Sequence, residues 1–230
     1  MRQHLKSRSA LLGLCVLAAC AAVQAQAPSA LVEDVHGKVE GIEFMDYVAP
    51  GRVIRLAPGD TLVLGYLRSC WRETISGGTV TVGEEHSTVA LGKVQRAKVL
   101  CTPARAPLGA RDATQSAATV FRSMRRDLAA PVAAPALPTV HGRSPVVEVM
   151  DQRGRLVLQR LDVAEERIEV AVAGPALVGE RFFDLARAGI ALQPGASYAA
   201  SLGALKLEFR VAAQALPGQT PVIGRLLRLE

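Results

Sequence analysis

The chain is 230 residues long, half of them hydrophobic, with 27 basic against 21 acidic residues and a formal charge of +6. That is enough apolar material for one large or two small folded units, and it excludes a chain disordered throughout. Nine aromatic residues are too few for the stacking platform of a single-strand nucleic-acid binder, and 22 arginines beside 37 alanines reflect GC-rich bacterial coding rather than chemistry.

Residues 1–27 read as a secretory signal peptide. Arg2, Lys6 and Arg8 form a basic start, Ala10 to Val23 is an apolar run of 14 residues, and Gln24-Ala25-Gln26-Ala27 is a small-residue cleavage zone. The run is shorter than the about 20 residues a spanning helix needs. Leu17-Ala18-Ala19-Cys20 fits a lipobox, which would lipidate Cys20. Val23-Gln24-Ala25 fits ordinary cleavage, which is preferred because apolar residues continue past the cysteine with no polar tether. The expected location is the periplasm, with a lipid anchor through Cys20 on a membrane facing it as the alternative.

Cys15 and Cys20 belong to the leader, so Cys70 and Cys101 remain. In an oxidising compartment their simplest state is a disulfide. It would close a loop of about 30 residues and contribute roughly 3–4 kcal/mol on the chain-entropy model. Two unpaired buried thiols are the alternative; zinc would lack ligands, since no CxxC spacing is present.

Removing the leader lowers the net charge to +3, and what remains is unevenly spread. Residues 30–101 carry −1, residues 102–145 carry +4, residues 146–214 carry −1 and residues 215–230 carry +1. Two nearly neutral blocks flank one basic connector, without the broad basic face a nucleic-acid partner requires.

The expected fold is mainly β: two antiparallel sandwich or roll domains, residues 28–101 and 146–230, joined by a helix and a proline-rich linker over residues 102–145. In the first, Val53 to Leu56, Thr61 to Leu67 and Thr79 to Val82 read as separate strands divided by turns at Pro58-Gly59-Asp60 and Ser76-Gly77-Gly78. Cys70 falls beside Trp71 on one strand and Cys101 ends another. In the connector Ala113, Ala117, Val120, Phe121, Met124 and Leu128 share one helical face, Asp112 and Gln115 suit a capping box, and Pro131 stops the helix. Arg122, Arg125 and Arg126 lie on the opposite face. They are either a basic interaction face for an acidic partner or anionic headgroups, or simply the solvated side of a helix packed on its own domain.

In the second block Val146 to Met150, Leu156 to Leu158, Ile168 to Val172, and Leu205 to Val211 read as strands. Arg181 to Ala188 reads as one or two helical turns with Phe182, Phe183 and Leu185 inward, and Pro221 to Leu229 as a final strand.

Val53-Ile54-Arg55-Leu56-Ala57-Pro58-Gly59-Asp60-Thr61-Leu62-Val63-Leu64, followed by Arg72 to Val82, resembles the exported β-domain of FecR-type proteins in its turn-and-strand pattern. Regulators of that family carry a cytoplasmic anti-sigma segment ahead of their membrane helix. Only about nine residues precede the apolar run here, so the resemblance implies an envelope signalling partner without sigma-factor regulation. Leu192-Gln193-Pro194-Gly195-Ala196-Ser197-Tyr198, ending in Phe209-Arg210-Val211, resembles the late strands of a fibronectin-III or immunoglobulin-like sandwich. Such folds host binding more often than catalysis.

No GxSxG, P-loop, HExxH, GxGxxG or EF-hand pattern occurs. Glu84-Glu85-His86 groups three potential ligands, but strand neighbours point to opposite faces and a metal would need ligands from elsewhere, so a solvated turn is the preferred reading. His36 reads as a strand-end surface residue. These features predict a non-catalytic binding or adaptor protein of the cell envelope, with no cofactor and no nucleic acid. Its partner would be another envelope protein or an anionic membrane surface. A hydrolase with an unfamiliar site is the enzymatic alternative.

Overall fold

The structure, a computed structural model, describes residues 26–102, 137–150, 152–163, 165–219 and 221–229. The expected leader with Cys20, and the expected connector helix with Arg122, Arg125 and Arg126, lie outside the described residues. Within them the chain is mainly β, in three sheets.

The first sheet contains β1 (Ala30–His36), β2 (Tyr47–Val48), β3 (Val53–Tyr66), β4 (Trp71–Thr81), β5 (Thr88–Ala90) and β6 (Lys93–Lys98). Its order is β2-β1-β3-β4-β5, with β6 also on β4, and all pairs are antiparallel. The expected turns at Pro58-Gly59-Asp60 and Ser76-Gly77-Gly78 are corrected here: neither ends a strand. β3 runs through the first with a register shift between Leu56 and Thr61, and β4 runs through the second. Leu91-Gly92 lies level with them, between β5 and β6.

These breaks align into one crease across three strands. Asp60 closes it on β3 by accepting the Ala57 N–H at 2.9 Å. Glycine is required on β4 and in the bend between β5 and β6. Gly78 sits at φ +84, a Cβ there would run into the Ala90 carbonyl, and one on Gly92 would run into that of Gly77. The bent strands wrap one face around a core of Val32, Ile54, Leu56, Leu62, Leu64, Tyr66, Ile75 and Val80.

The second sheet has the order β10 (Arg167–Ala171), β9 (Arg155–Arg160), β13 (Ser197–Leu202), β14 (Leu205–Leu216), β7 (Thr139–Gly142). The third runs β11 (Leu177–Val178), β12 (Phe182–Asp184), β8 (Val146–Glu148), β15 (Leu226–Arg228). Leu156, Leu158, Tyr198 and Phe209 from the second sheet meet Val147, Phe183 and Leu227 from the third in one apolar core. The expected final strand is β15. It lies parallel to β8, and β7 lies parallel to β14, so the sheets are not purely antiparallel.

The helical turns expected over Arg181 to Ala188 give way to β12, which pairs with both β8 and β11. Strand alternation explains why: Phe183 points into the core between the second and third sheets, while Phe182 points the opposite way. Both phenylalanines and Leu185 are buried, as expected.

Phe182 belongs to a third apolar cluster, in which Leu31, Met45 and Leu67 of the first half meet Val146, Val222 and Ile223 of the second. The halves are thus packed together. Cys70 and Cys101 are disulfide-bonded, with Cα atoms 5.8 Å apart. Neither stands on a strand: Cys70 occupies the turn before β4 at φ +54, and Cys101 follows β6. Just beyond it, the Thr102 hydroxyl donates to the Thr139 carbonyl and accepts the Thr139 N–H.

Candidate functional site

The polar chemistry of the molecule is concentrated where strands of the two halves face one another and where three loops of the second half converge. Glu33 on β1 is fully buried between the halves. One oxygen accepts Arg72 Nε at 2.7 Å, from β4 of its own sheet, and the other accepts the Ile223 N–H at 2.8 Å, from the chain's tail. Gly65 on β3 permits that approach, since a Cβ there would lie 2.5 Å from Ile223 Cγ2 and 2.8 Å from Glu33 Oε1. A buried carboxylate so held has both its charge and its lone pairs answered.

A second contact crosses the same boundary. The Tyr47 hydroxyl donates to Glu148 Oε2 at 2.9 Å and accepts from Arg228 at 3.0 Å. Arg228 and Arg181 also pair with Glu148, and both guanidinium groups stand 5.2 Å from the Tyr47 ring centroid. Phe182 meets the same ring edge-on at 5.3 Å. Burial above all lifts the Tyr47 hydroxyl far beyond the ordinary phenol range; Glu148 pushes the same way and Arg228 opposes.

Glu73 repeats the device on the opposite face of the first sheet. It is fully buried, paired with Arg96 Nε, and both its oxygens accept the Ser87 N–H. Arg96 also donates to the Ser87 carbonyl, and the hydroxyls of Ser87 and Tyr66 are bonded at 2.8 Å. This pins the 82–87 loop over the end of the first core. Burial pushes the Tyr66 hydroxyl up to about 12.

The second half has its own hub. Arg225 and Asp184, each with a side chain only 2 % exposed, form a two-point pair at 2.7 and 3.2 Å. Arg225 also donates to the carbonyls of Ser144 and Gln219, while Asp184 accepts the Ala186 N–H. Three loops are therefore tied to one ion pair: the loop after β7, the one after β12 and the one after β14. A cavity of about 330 Å³ opens between them, with Arg143, Ser144, Ala186, Ile190, Pro217 and Gln219 in its lining.

The residues singled out in the sequence fall mostly elsewhere. Glu84, Glu85 and His86 are all exposed in the pinned loop, and among the described residues no group of three His, Cys, Asp or Glu is placed to hold a metal ion. His36 ends β1, exposed, with Nδ1 3.4 Å from Asp34. His141 on β7 keeps a buried Nδ1 that has no partner among the described residues, and burial lowers its pKa. Glu33, Glu73, Glu148, Asp184 and Arg225 were not distinguishable as a set. The available signal was an acid at an inward position of a strand, as with Glu73 two residues before Ile75.

Chemically, these four buried acids are each committed to arginine, leaving an arginine in the cavity rather than a free carboxylate base. No protein-family profile, curated protein or solved structure matches this chain.

Proposed function

We propose that the chain is an exported, non-catalytic binding or adaptor protein of the bacterial cell envelope. The observation that carries this reading is the commitment of Glu33, Glu73, Glu148 and Asp184 to arginine partners. Titratable groups that hold strands and loops together are spent on rigidity, whereas a general acid or base needs a carboxylate or imidazole open to substrate. The leader-like start and the Cys70–Cys101 bridge support export to an oxidising compartment.

The connector supports the adaptor role. Residues 103–136 carry five arginines against two aspartates, and the flanking residues Thr102 and Thr139 are hydrogen-bonded to each other. That excess of positive charge in the sequence suits an acidic envelope protein or anionic headgroups.

Fractionation with chemical crosslinking tests the reading. The mature protein is expected in the envelope fraction, and replacing Arg122, Arg125 and Arg126 together by glutamate is expected to release most of it. Unchanged retention of the triple variant removes the basic face. Full-length protein in the cytosol with both thiols alkylated removes the proposal altogether.

A further inference from the structure

We infer that the cavity beside the Arg225–Asp184 pair binds a small aliphatic carboxylate, a site that goes beyond the adaptor reading and does not depend on it. Its polar groups are few and of one sign. Arg143 brings a guanidinium, Ser144 a hydroxyl and Gln219 an amide, and no acidic side chain is among the lining residues.

The arginine is held rather than loose. Its backbone N–H donates to the Leu216 carbonyl at 3.0 Å, its carbonyl accepts the Leu192 N–H at 2.7 Å, and Nε reaches the Leu192 carbonyl at 3.4 Å. Its terminal nitrogens have no carboxylate partner among the described residues. That sets it apart from Arg72, Arg96, Arg225 and Arg228, whose charges are all answered. Ser144 is a largely buried residue whose hydroxyl has no protein partner among the described residues and is not one of the buried unpartnered atoms, so it is open to the cavity's solvent. An arginine without a carboxylate partner and a serine with an unpaired hydroxyl in one cavity lining suit the two oxygens of a carboxylate.

The remaining lining defines the rest of the ligand. Ala186, Ile190 and Pro217 offer apolar surface, and about 330 Å³ is at the small end of ligand sites. A body of a few carbons would cover that surface. A phosphate would bring a second negative charge with no second cation to meet it, and would leave the apolar wall uncovered. The hub makes the site preorganised: Arg225 holds the carbonyls of Ser144 and Gln219, and Asp184 holds the Ala186 N–H, so all three walls are fixed before a ligand arrives.

The test is an amide chemical-shift titration of the mature protein with butyrate, with butyramide as its uncharged match and inorganic phosphate as the competing anion. Butyrate is expected to shift the amides of Ser144, Gly189, Gly218 and Gln219 saturably. Butyramide and phosphate are each expected to bind about tenfold more weakly or worse, the size of one charge-assisted hydrogen bond. The R143Q variant should weaken butyrate by about the same factor, and A186L, which fills the cavity without touching the charge, should weaken it too. The wild-type ligand series stands alone if either variant fails to fold. No saturable shift at those amides, or butyramide binding as well as butyrate, overturns the proposal. Phosphate binding as well as butyrate overturns its carboxylate specificity.

Discussion

Glu33 and Glu73 are the same device turned to opposite faces of one sheet. Each is fully buried, each meets an arginine Nε from another strand of the same sheet, and each accepts a backbone N–H from outside its own strand. Arg72, which serves Glu33, is the residue next to Glu73 on β4, so strand alternation alone assigns the two pairs to different faces. What differs is the segment captured. Glu73 holds Ser87, 14 residues away in its own half, whereas Glu33 holds Ile223, 190 residues away at the chain's tail. One buried acid closes a loop; the other joins two halves of a molecule. The chemistry of a buried carboxylate therefore does not reveal its role, and the partner's distance along the chain does.

Breaking each device should separate those roles. Glu73→Ala is expected to cost the most, about 3 kcal/mol, because it strands the buried Ser87 N–H and loosens the hydroxyl of Tyr66 bonded to Ser87. Calorimetry should still record one unfolding transition at a lower temperature. Glu33→Ala should cost less, about 1–2 kcal/mol, since it strands the Ile223 N–H without a hydroxyl pair depending on it, and Arg72, like Arg96, is exposed enough to turn to water. Its signature is different: the transition should broaden or split as the halves lose their latch. The reverse pattern, a split with Glu73→Ala and a single sharp transition with Glu33→Ala, would exchange the roles assigned here.

The smallest effect is alkaline. Burial favours the neutral phenol of Tyr66 and raises it from 10 to about 12. The unfolded tyrosine releases its proton first, so the stabilising contribution is whole below pH 10 and is lost as the pH rises toward 12. A tyrosinate absorbance titration should show Tyr66 ionising near the upper end of that window and Tyr47, in the seam, later still. A native titration midpoint at 10 for all three tyrosines would contradict the burial assigned to both networks.

Much of the strand pattern was legible from local alternation. Ile168 to Val172 and Leu205 to Val211 show apolar residues at every second position, and β10 and β14 lie there. The disulfide was legible because only two of the four cysteines, Cys70 and Cys101, lie beyond residue 27. The crease was not. Pro58-Gly59-Asp60 and Gly77-Gly78 use the residues of a turn, and whether such residues reverse a strand or only bend it is decided by neighbours that pair on both sides of them. β12 was misread for a similar reason: adjacent phenylalanines look alike in sequence, and only the seam and the second core, on opposite sides, show that both are buried as a strand. Glu33, Asp184 and Arg225 owe their places to contacts spanning 39 to 190 residues, which no local pattern encodes. The cavity lies between three loops and inherits the same obscurity.

The most direct test of the joined halves is native-state hydrogen exchange at two amides, Ser87 and Ile223, which donate to Glu73 and Glu33. Both are predicted to exchange only through global unfolding, with the same protection and the same dependence on denaturant. Strong protection at Ser87 alongside rapid, denaturant-independent exchange at Ile223 would mean that the tail leaves Glu33 while the first half stays folded, and the account of a latched molecule would fail.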